Sequence, residues 1–212
     1  YVDSSALLKR YVDEADSADA DALLRADDSL LTARHTIVEV FVQLARALDY
    51  IHALGLIHGD IKPSNVLVIP PRTPGEKPQA KLIDFGLARM LRGSDLDPEE
   101  GEDAKQITVL GTPGFSAPEK VRGHISDSRS DIYSLAATIY AAARGQRPFP
   151  AKDFKEALRA QKDWRPELAG SLLPKCGPVI AELVGRMLQP DPELRPQSAR
   201  SIVLELIRRE DT

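Results

Sequence analysis

No glycine and no proline precede Gly55 in this 212-residue chain, so all 13 glycines and all 16 prolines fall in the remaining 158 positions. These two residues interrupt helices most strongly, and a stretch that lacks both is free to be helical throughout. Charge changes along the same stretch. Residues 1–40 carry nine acids against four bases, whereas residues 41–212 carry 23 acids against 24 bases. Two joined pieces give a break of this kind, although a helical N-terminal segment also avoids glycine and proline. The boundary near residue 40 divides the chain into segments 1–40 and 41–212.

Composition narrows the function classes. Hydrophobic residues make up 42% and charged residues 28%, as in a globular chain, and the net charge of −4 argues against a protein that coats nucleic acid. One cysteine, Cys176, excludes a disulfide framework and a multi-cysteine zinc site, which fits a reducing, cytoplasmic setting. The uncharged stretch Ile132–Ala143 has twelve residues, too few to span a bilayer, and no secretory leader pattern is visible. No membrane segment is therefore expected. The chain opens on Tyr1 rather than methionine, as a piece of a longer protein would.

Periodicity supplies the coarse structure. Tyr1–Val2 reads as a strand stub, Ser4 or Ser5 caps a helix to about Val12, and Asp16–Ala26 reads as a second helix. Leu30–Thr32 is short and apolar enough for a strand. Ile37, Val40, Phe41, Leu44, Leu48 and Ile51 recur at spacings of three and four, one amphipathic helix ending near Gly55. Val66–Ile69 and Ala80–Ile83 are β-rich runs joined by the proline-rich stretch 70–79, which predicts a hairpin. Gly93–Lys105 is a strongly acidic loop, and helices are expected over 128–143, 152–161, 178–188 and 196–209.

The stretch that carries chemistry is His58-Gly59-Asp60-Ile61-Lys62-Pro63-Ser64-Asn65, followed by Asp84-Phe85-Gly86 and Ala117-Pro118-Glu119. An aspartate followed five residues later by an asparagine, just before a strand, presents a carboxylate and an amide to one small volume. Lys62 adds a positive charge beside Asp60, and Asp84 ends the partner strand. Oxygen ligands and a lysine converging beside a hairpin suit a hard divalent cation that carries phosphate oxygens. Asp60 is left to accept a hydroxyl proton.

These three motifs, in this order and with a hairpin between the first two, make residues 41–210 resemble the lower (C-terminal) lobe of a eukaryotic-type Ser/Thr protein kinase. The resemblance implies an α+β, mainly α fold with one small hairpin, and use of ATP and Mg2+ on protein serine or threonine. It makes Asp60 the catalytic base and Lys62 a stabiliser of the transferring phosphoryl group. Asn65 and Asp84 would hold magnesium, and Leu67 would pack under the adenine ring. Thr112, in Gly111-Thr112-Pro113, would bond Asp60 and Lys62. His58 and Phe85 match a packed regulatory stack, Asp131 the carboxylate that anchors the catalytic loop, and Glu119 with Arg195 a buried ion pair.

The sequence departs from that pattern in places. Gly59 stands where many kinases have an arginine that neutralises an activation-loop phosphate, so phosphorylation of Thr108 is not expected to be an on-switch. The stretches 70–79 and 93–105 read as insertions. The family's upper lobe has a glycine-rich loop, a strand lysine and a helix glutamate within on the order of 70 residues. None of these is recognisable before the matching helix, where Lys9 is the only lysine ahead of Lys62, and the upper lobe is expected to be absent.

Residues 1–40 resemble something else. Tyr1-Val2-Asp3-Ser4-Ser5-Ala6-Leu7-Leu8-Lys9 and Leu30–Val40 are similar to the start of a PIN-domain nuclease, a truncated α/β segment. In that family an aspartate ending the first strand and a glutamate on a later helix bind a divalent metal, positions that Asp3 and Glu39 match. The combined expectation is a kinase lobe, weakly active or inactive as this chain. Its alternatives are a non-catalytic module that docks a protein substrate, and a remnant of a metal-dependent ribonuclease. Nucleic acid is a partner only under the last of these.

Overall fold

The spacing of Ile37, Phe41, Leu44, Leu48 and Ile51 builds one helix, α1 (Asp27–Ala53), in the computed structural model of the protein, which describes residues 27–73, 76–86, 89–90, 111–124 and 126–208. Phe41, Leu44 and Leu48 are fully buried, and burying each such side chain stabilises the fold by roughly 1.5–3 kcal/mol. The strand expected over Leu30–Thr32 is not formed, because those residues lie inside α1. A three-residue apolar run has no partner strand among the described residues, and nothing between Asp27 and Ala53 interrupts a helix. The helix also crosses the charge boundary near residue 40 without a break.

A short strand, β1 (Leu56–Ile57), follows, and the loop 58–62 leads through a 3-10 turn at Pro63–Asn65 into β2 (Val66–Ile69). Strand β3 (Gln79–Leu82) pairs antiparallel with β2, Val66 opposite Leu82 and Ile69 opposite Gln79. This is the expected hairpin, with its second strand one residue earlier, and the Ile83 N–H continues the pairing to the Asn65 carbonyl at 3.0 Å. A second pairing that periodicity did not indicate joins β1 to β4 (Arg89–Met90). Gln43 of α1 fastens the hairpin: its Nε2 donates to the Pro78 carbonyl and its Oε1 accepts from the Ala80 N–H, both at 2.7 Å. Glu39 pairs with Lys77 beside it.

The rest is helical. Helix α2 (Pro118–Val121) is one turn, and α3 (Ser128–Arg144) begins where the Asp127 carboxylate caps the Arg129 N–H. Most of α3 is buried, including Ile132, Tyr133, Leu135 and Ile139, so its hydroxyls bond inward: Ser134 to the Ser130 carbonyl and Thr138 to the Ser134 carbonyl. Helices α4 (Phe154–Lys162), α5 (Leu173–Met187) and α6 (Ala199–Arg208) complete the order, with 3-10 turns at Pro166–Leu172 and Pro192–Leu194. The break inside α5 at Gly177, just before Pro178, explains why the apolar period pointed to a helix starting at 178. Side chains of α1, α3, α5 and α6 share one core. The architecture is mostly helical with small antiparallel strands.

The segment Pro166–Met187 is long and apolar enough to cross a membrane by composition. Its Leu172, Ile180, Leu183, Val184 and Met187 are instead buried in that core. The strand stub at Tyr1–Val2, the helices expected within 1–26, the acidic stretch 93–105 and Thr108 lie outside the described residues.

Candidate active site

The loop between β1 and β2 is held from below by one carboxylate. Asp131 sits in the first turn of α3, 1% exposed, yet Asp127 caps that helix and Asp131 points across the core. Its Oδ2 accepts the His58 N–H and its Oδ1 the Gly59 N–H, both at 2.8 Å, and His52 bonds Oδ2 at 2.9 Å. A buried carboxylate with three partners is a rigid peg, because losing any one strands charge in a dry interior. His52 is therefore a structural histidine. Gly59 has φ +80°, a backbone region that side-chain-bearing residues rarely adopt, and its carbonyl accepts from Lys120.

On that peg four side chains converge. Lys62 Nζ donates to Asp60 Oδ2 at 2.7 Å and to Thr112 Oγ1 at 3.1 Å, while the Thr112 hydroxyl lies 3.3 Å from Asp60 Oδ1. Asn65 Nδ2 donates to the Asp60 carbonyl at 2.9 Å and approaches Asp60 Oδ2 at 3.4 Å. Asn65 is buried and Asp60 and Lys62 are half-buried. A carboxylate held at both oxygens by a cation, a hydroxyl and an amide keeps one orientation, which is what an acceptor for a substrate proton requires.

Asp84 lies one residue beyond the Ile83 N–H that bonds Asn65, so the hairpin brings the two together from 19 positions apart in sequence. Its φ of +64° is the only left-handed value among the described non-glycine residues. Aspartate tolerates that region better than most residues, and the Gly86 N–H at 3.2 Å from Oδ1 steadies the turn. The Asp84 carboxylate is exposed. Asn65 spends its amide N–H on Asp60, and its Oδ1, approached by the Ser64 hydroxyl at 3.4 Å, still has a lone pair to offer as an oxygen donor. Amide and carboxylate oxygens are the donor set that fits magnesium. Among the described residues no group of three or more His, Cys, Asp or Glu is placed to hold a metal by itself.

The remaining sequence-derived residues separate clearly. His58 and Phe85 pack as a tilted pair, ring centroids 4.7 Å apart with planes at 49°, and the His58 Nε2 bonds the Ile83 carbonyl at 3.2 Å. Leu67 lies half-buried on β2 opposite Lys81. Glu39 is 7% exposed on α1 and tied to Lys77, and Asp3 is outside the described residues. Lys120 on Gly59 was missed, since nothing in the sequence connects positions 61 apart. Trp164 and Phe149 pack on each other at 5.4 Å, and Cys176 is buried.

Glu119 and Arg195 form the buried pair. Two parallel bonds at 2.8 Å join them, Ser130 Oγ adds 2.7 Å to Glu119 Oε1, and the Arg195 guanidinium also donates to the carbonyls of Gln189, Arg129 and Pro190. Arg195 lies 4.9 Å from the Tyr133 ring centroid. Burial pushes the Glu119 carboxyl up, but the Arg195 bonds and charge, with Ser130, hold it below the usual carboxylate range.

Comparison with known proteins adds the following. The family model described as the protein kinase domain matches residues 4–205, across both sides of the composition break. The serine/threonine-protein kinase pkn2 of Myxococcus xanthus is 36% identical over 76% of this chain, which spans 19% of that protein. The serine/threonine-protein kinase PknA of Mycobacterium tuberculosis is 34% identical over 79% of this chain and 35% of its own length. A protein named a probable serine/threonine-protein kinase in Streptomyces coelicolor is 27% identical over 97% of this chain and 29% of its own. The chain thus spans between a fifth and about a third of these curated relatives.

Proposed function

The chain belongs to the protein kinase domain family, and we propose that its site transfers a phosphoryl group from ATP to serine or threonine hydroxyls of protein substrates. The observation that carries this reading is the convergence of Asp60, Lys62, Asn65 and Thr112 on one Asp131-anchored loop. Asp60 accepts the substrate hydroxyl proton, and Lys62, fixed between Asp60 and Thr112, neutralises charge that builds on the transferring group. Asn65 and Asp84 would hold magnesium, which when bound supplies charge neutralisation on the phosphate oxygens. Leu67 offers an apolar surface on the hairpin to the adenine ring. The names of the relatives favour serine and threonine over tyrosine as acceptors. The lone, buried Cys176 suits a reducing cytoplasm.

Residues 41–212 are read as the lower lobe of the kinase fold. Residues 1–40 hold no recognisable glycine-rich loop, and no strand lysine with a helix glutamate paired to it, so this chain by itself is expected to transfer phosphate slowly. Thermal shift tests nucleotide binding directly. Mg-ATP is expected to raise the midpoint of the parent and to leave Asp84→Asn unmoved, since amide replacement removes a charged oxygen ligand. Equal shifts in both proteins would sink the role given to Asp84. Peptide binding without any ATP-dependent shift would instead favour a docking module.

Gly59 gives a second expectation. No guanidinium stands at that position to take up a loop phosphate, so Thr108→Ala is expected to keep activity within about threefold of the parent, an effect of well under 1 kcal/mol. Activity below one-tenth, measured by phosphate transfer to a serine peptide, would contradict it. The nuclease reading of residues 1–40 rests on Asp3 and Glu39. Single-stranded RNA incubated with the chain and Mg2+ or Mn2+ is expected to stay intact.

A further inference from the structure

Between Arg144 and Arg165 the chain carries seven bases and three acids, a local charge of +4 in a protein whose total is −4. All seven bases, Arg144, Arg147, Lys152, Lys155, Arg159, Lys162 and Arg165, are exposed, and none is in an ion pair among the described residues. Two of the three acids are occupied locally. Asp153 Oδ1 caps the Glu156 N–H at 2.8 Å and Glu156 Oε2 reaches back to the Lys152 N–H at 2.9 Å, a closed capping arrangement at the start of α4. Lys155, Arg159 and Lys162 recur at i, i+4 and i+7, one outward stripe of α4 opposite buried Ala157 and Gln161.

Three contacts seat this basic region beside the proton acceptor. Arg147 Nη1 donates to the Pro113 carbonyl at 3.3 Å, and its guanidinium lies 5.4 Å from the Phe115 ring centroid. Gly114, at φ +84°, lies so close to the Phe149 carbonyl that a Cβ there would meet it at 2.7 Å. Gln161 Nε2 donates to the Ser116 carbonyl at 2.9 Å. Pro113 follows Thr112, whose hydroxyl touches Asp60, so a peptide hydroxyl at Asp60 sits on the order of three extended residues from Arg147.

We propose that Arg147 and Lys152, extended by the Lys155–Arg159–Lys162 stripe, select protein substrates with acidic residues flanking the acceptor serine or threonine. This rests on the kinase reading above and names its substrate class. The arrangement suits a peptide better than a nucleic acid: the helical cations Lys155 to Lys162 lie along about 10 Å of α4, roughly three extended peptide residues. No aromatic ring of this segment is exposed to stack a base, since Phe149 and Trp164 are buried and Phe154 is half-buried.

Fluorescence anisotropy on the full chain tests it without ATP. The probes are labelled peptides with a central alanine flanked by glutamates, by glycine and serine, or by lysines. The glutamate peptide is expected to bind about tenfold tighter than the neutral one at low salt and to lose that margin as salt rises. Arg147→Glu/Lys152→Glu should abolish the margin. Lys155→Glu/Arg159→Glu/Lys162→Glu, which leaves the Pro113 contact alone, should cut it severalfold with an unchanged melting point. Equal binding of acidic and neutral peptides, full binding by both folded variants, or tighter binding of an equally charged single-stranded RNA would overturn the proposal. Acidic selection without phosphate transfer to a serine version would keep the surface and remove the kinase reading. Transfer without charge preference would do the reverse.

Discussion

Asp60→Asn is expected to lower the rate of phosphate transfer to a serine peptide by about 10²–10⁴-fold, on the order of 3–5 kcal/mol in barrier. The substitution keeps the size of the side chain and removes the proton acceptor. It also places an NH2 group beside either Lys62 Nζ or the Thr112 hydroxyl, now at 2.7 Å and 3.3 Å from the two carboxylate oxygens. Lys62 then loses its charged partner and its position. Asn65 keeps its bond to the Asp60 backbone carbonyl, so the metal-binding side chains should stay in place. The signature is therefore a split: single-turnover transfer collapses while the Mg-ATP thermal shift is retained. A variant within tenfold of the parent would exclude Asp60 as the base.

The largest stability effect is expected at Arg195, far from the chemistry. Arg195→Ala leaves the Glu119 carboxylate buried and unpaired and removes donors to three backbone carbonyls. Breaking one partner of a buried ion pair costs about 3–5 kcal/mol, a fall in melting temperature of roughly 6–20 °C for a chain of this size. The pH dependence has a definite sign. Glu119 is held below its unfolded value of 4.5 in the parent, so its contribution is full above that pH and fades as pH falls through the lower folded value. In the variant, burial without Arg195 favours the neutral acid, and protonation relieves the penalty. The stability gap should narrow steadily from pH 7 to pH 4 in denaturant melts. A gap under 1 kcal/mol, or one that does not change with pH, would show the pair to be dispensable.

Local features were legible because they depend on neighbours in sequence. The 3.6-residue spacing from Ile37 to Ile51 marked the core face of α1, and two β-rich runs around a proline-rich connection marked the hairpin. Leu30–Thr32 misled for the same reason, since three apolar residues fit either period until a partner strand is sought. The β1–β4 pairing was invisible because two-residue strands carry no period at all. In the site, the spacing Asp60, Lys62, Asn65 announced converging charge, but not what would hold the loop.

The amino-acid sequence by itself determined which side chains are available to the site and which segments are helical, since motif spacing and periodicity act over a few residues. Only the tertiary structure decided that Asp131 holds the loop from 72 and 73 positions away, that Thr112 closes on Lys62 across 50, and that Glu119 meets Arg195 across 76. Each of these places charged or polar groups in partly or fully dry surroundings, where they persist only if every partner arrives together. That condition belongs to the packed core of α1, α3, α5 and α6 and to no single stretch of chain.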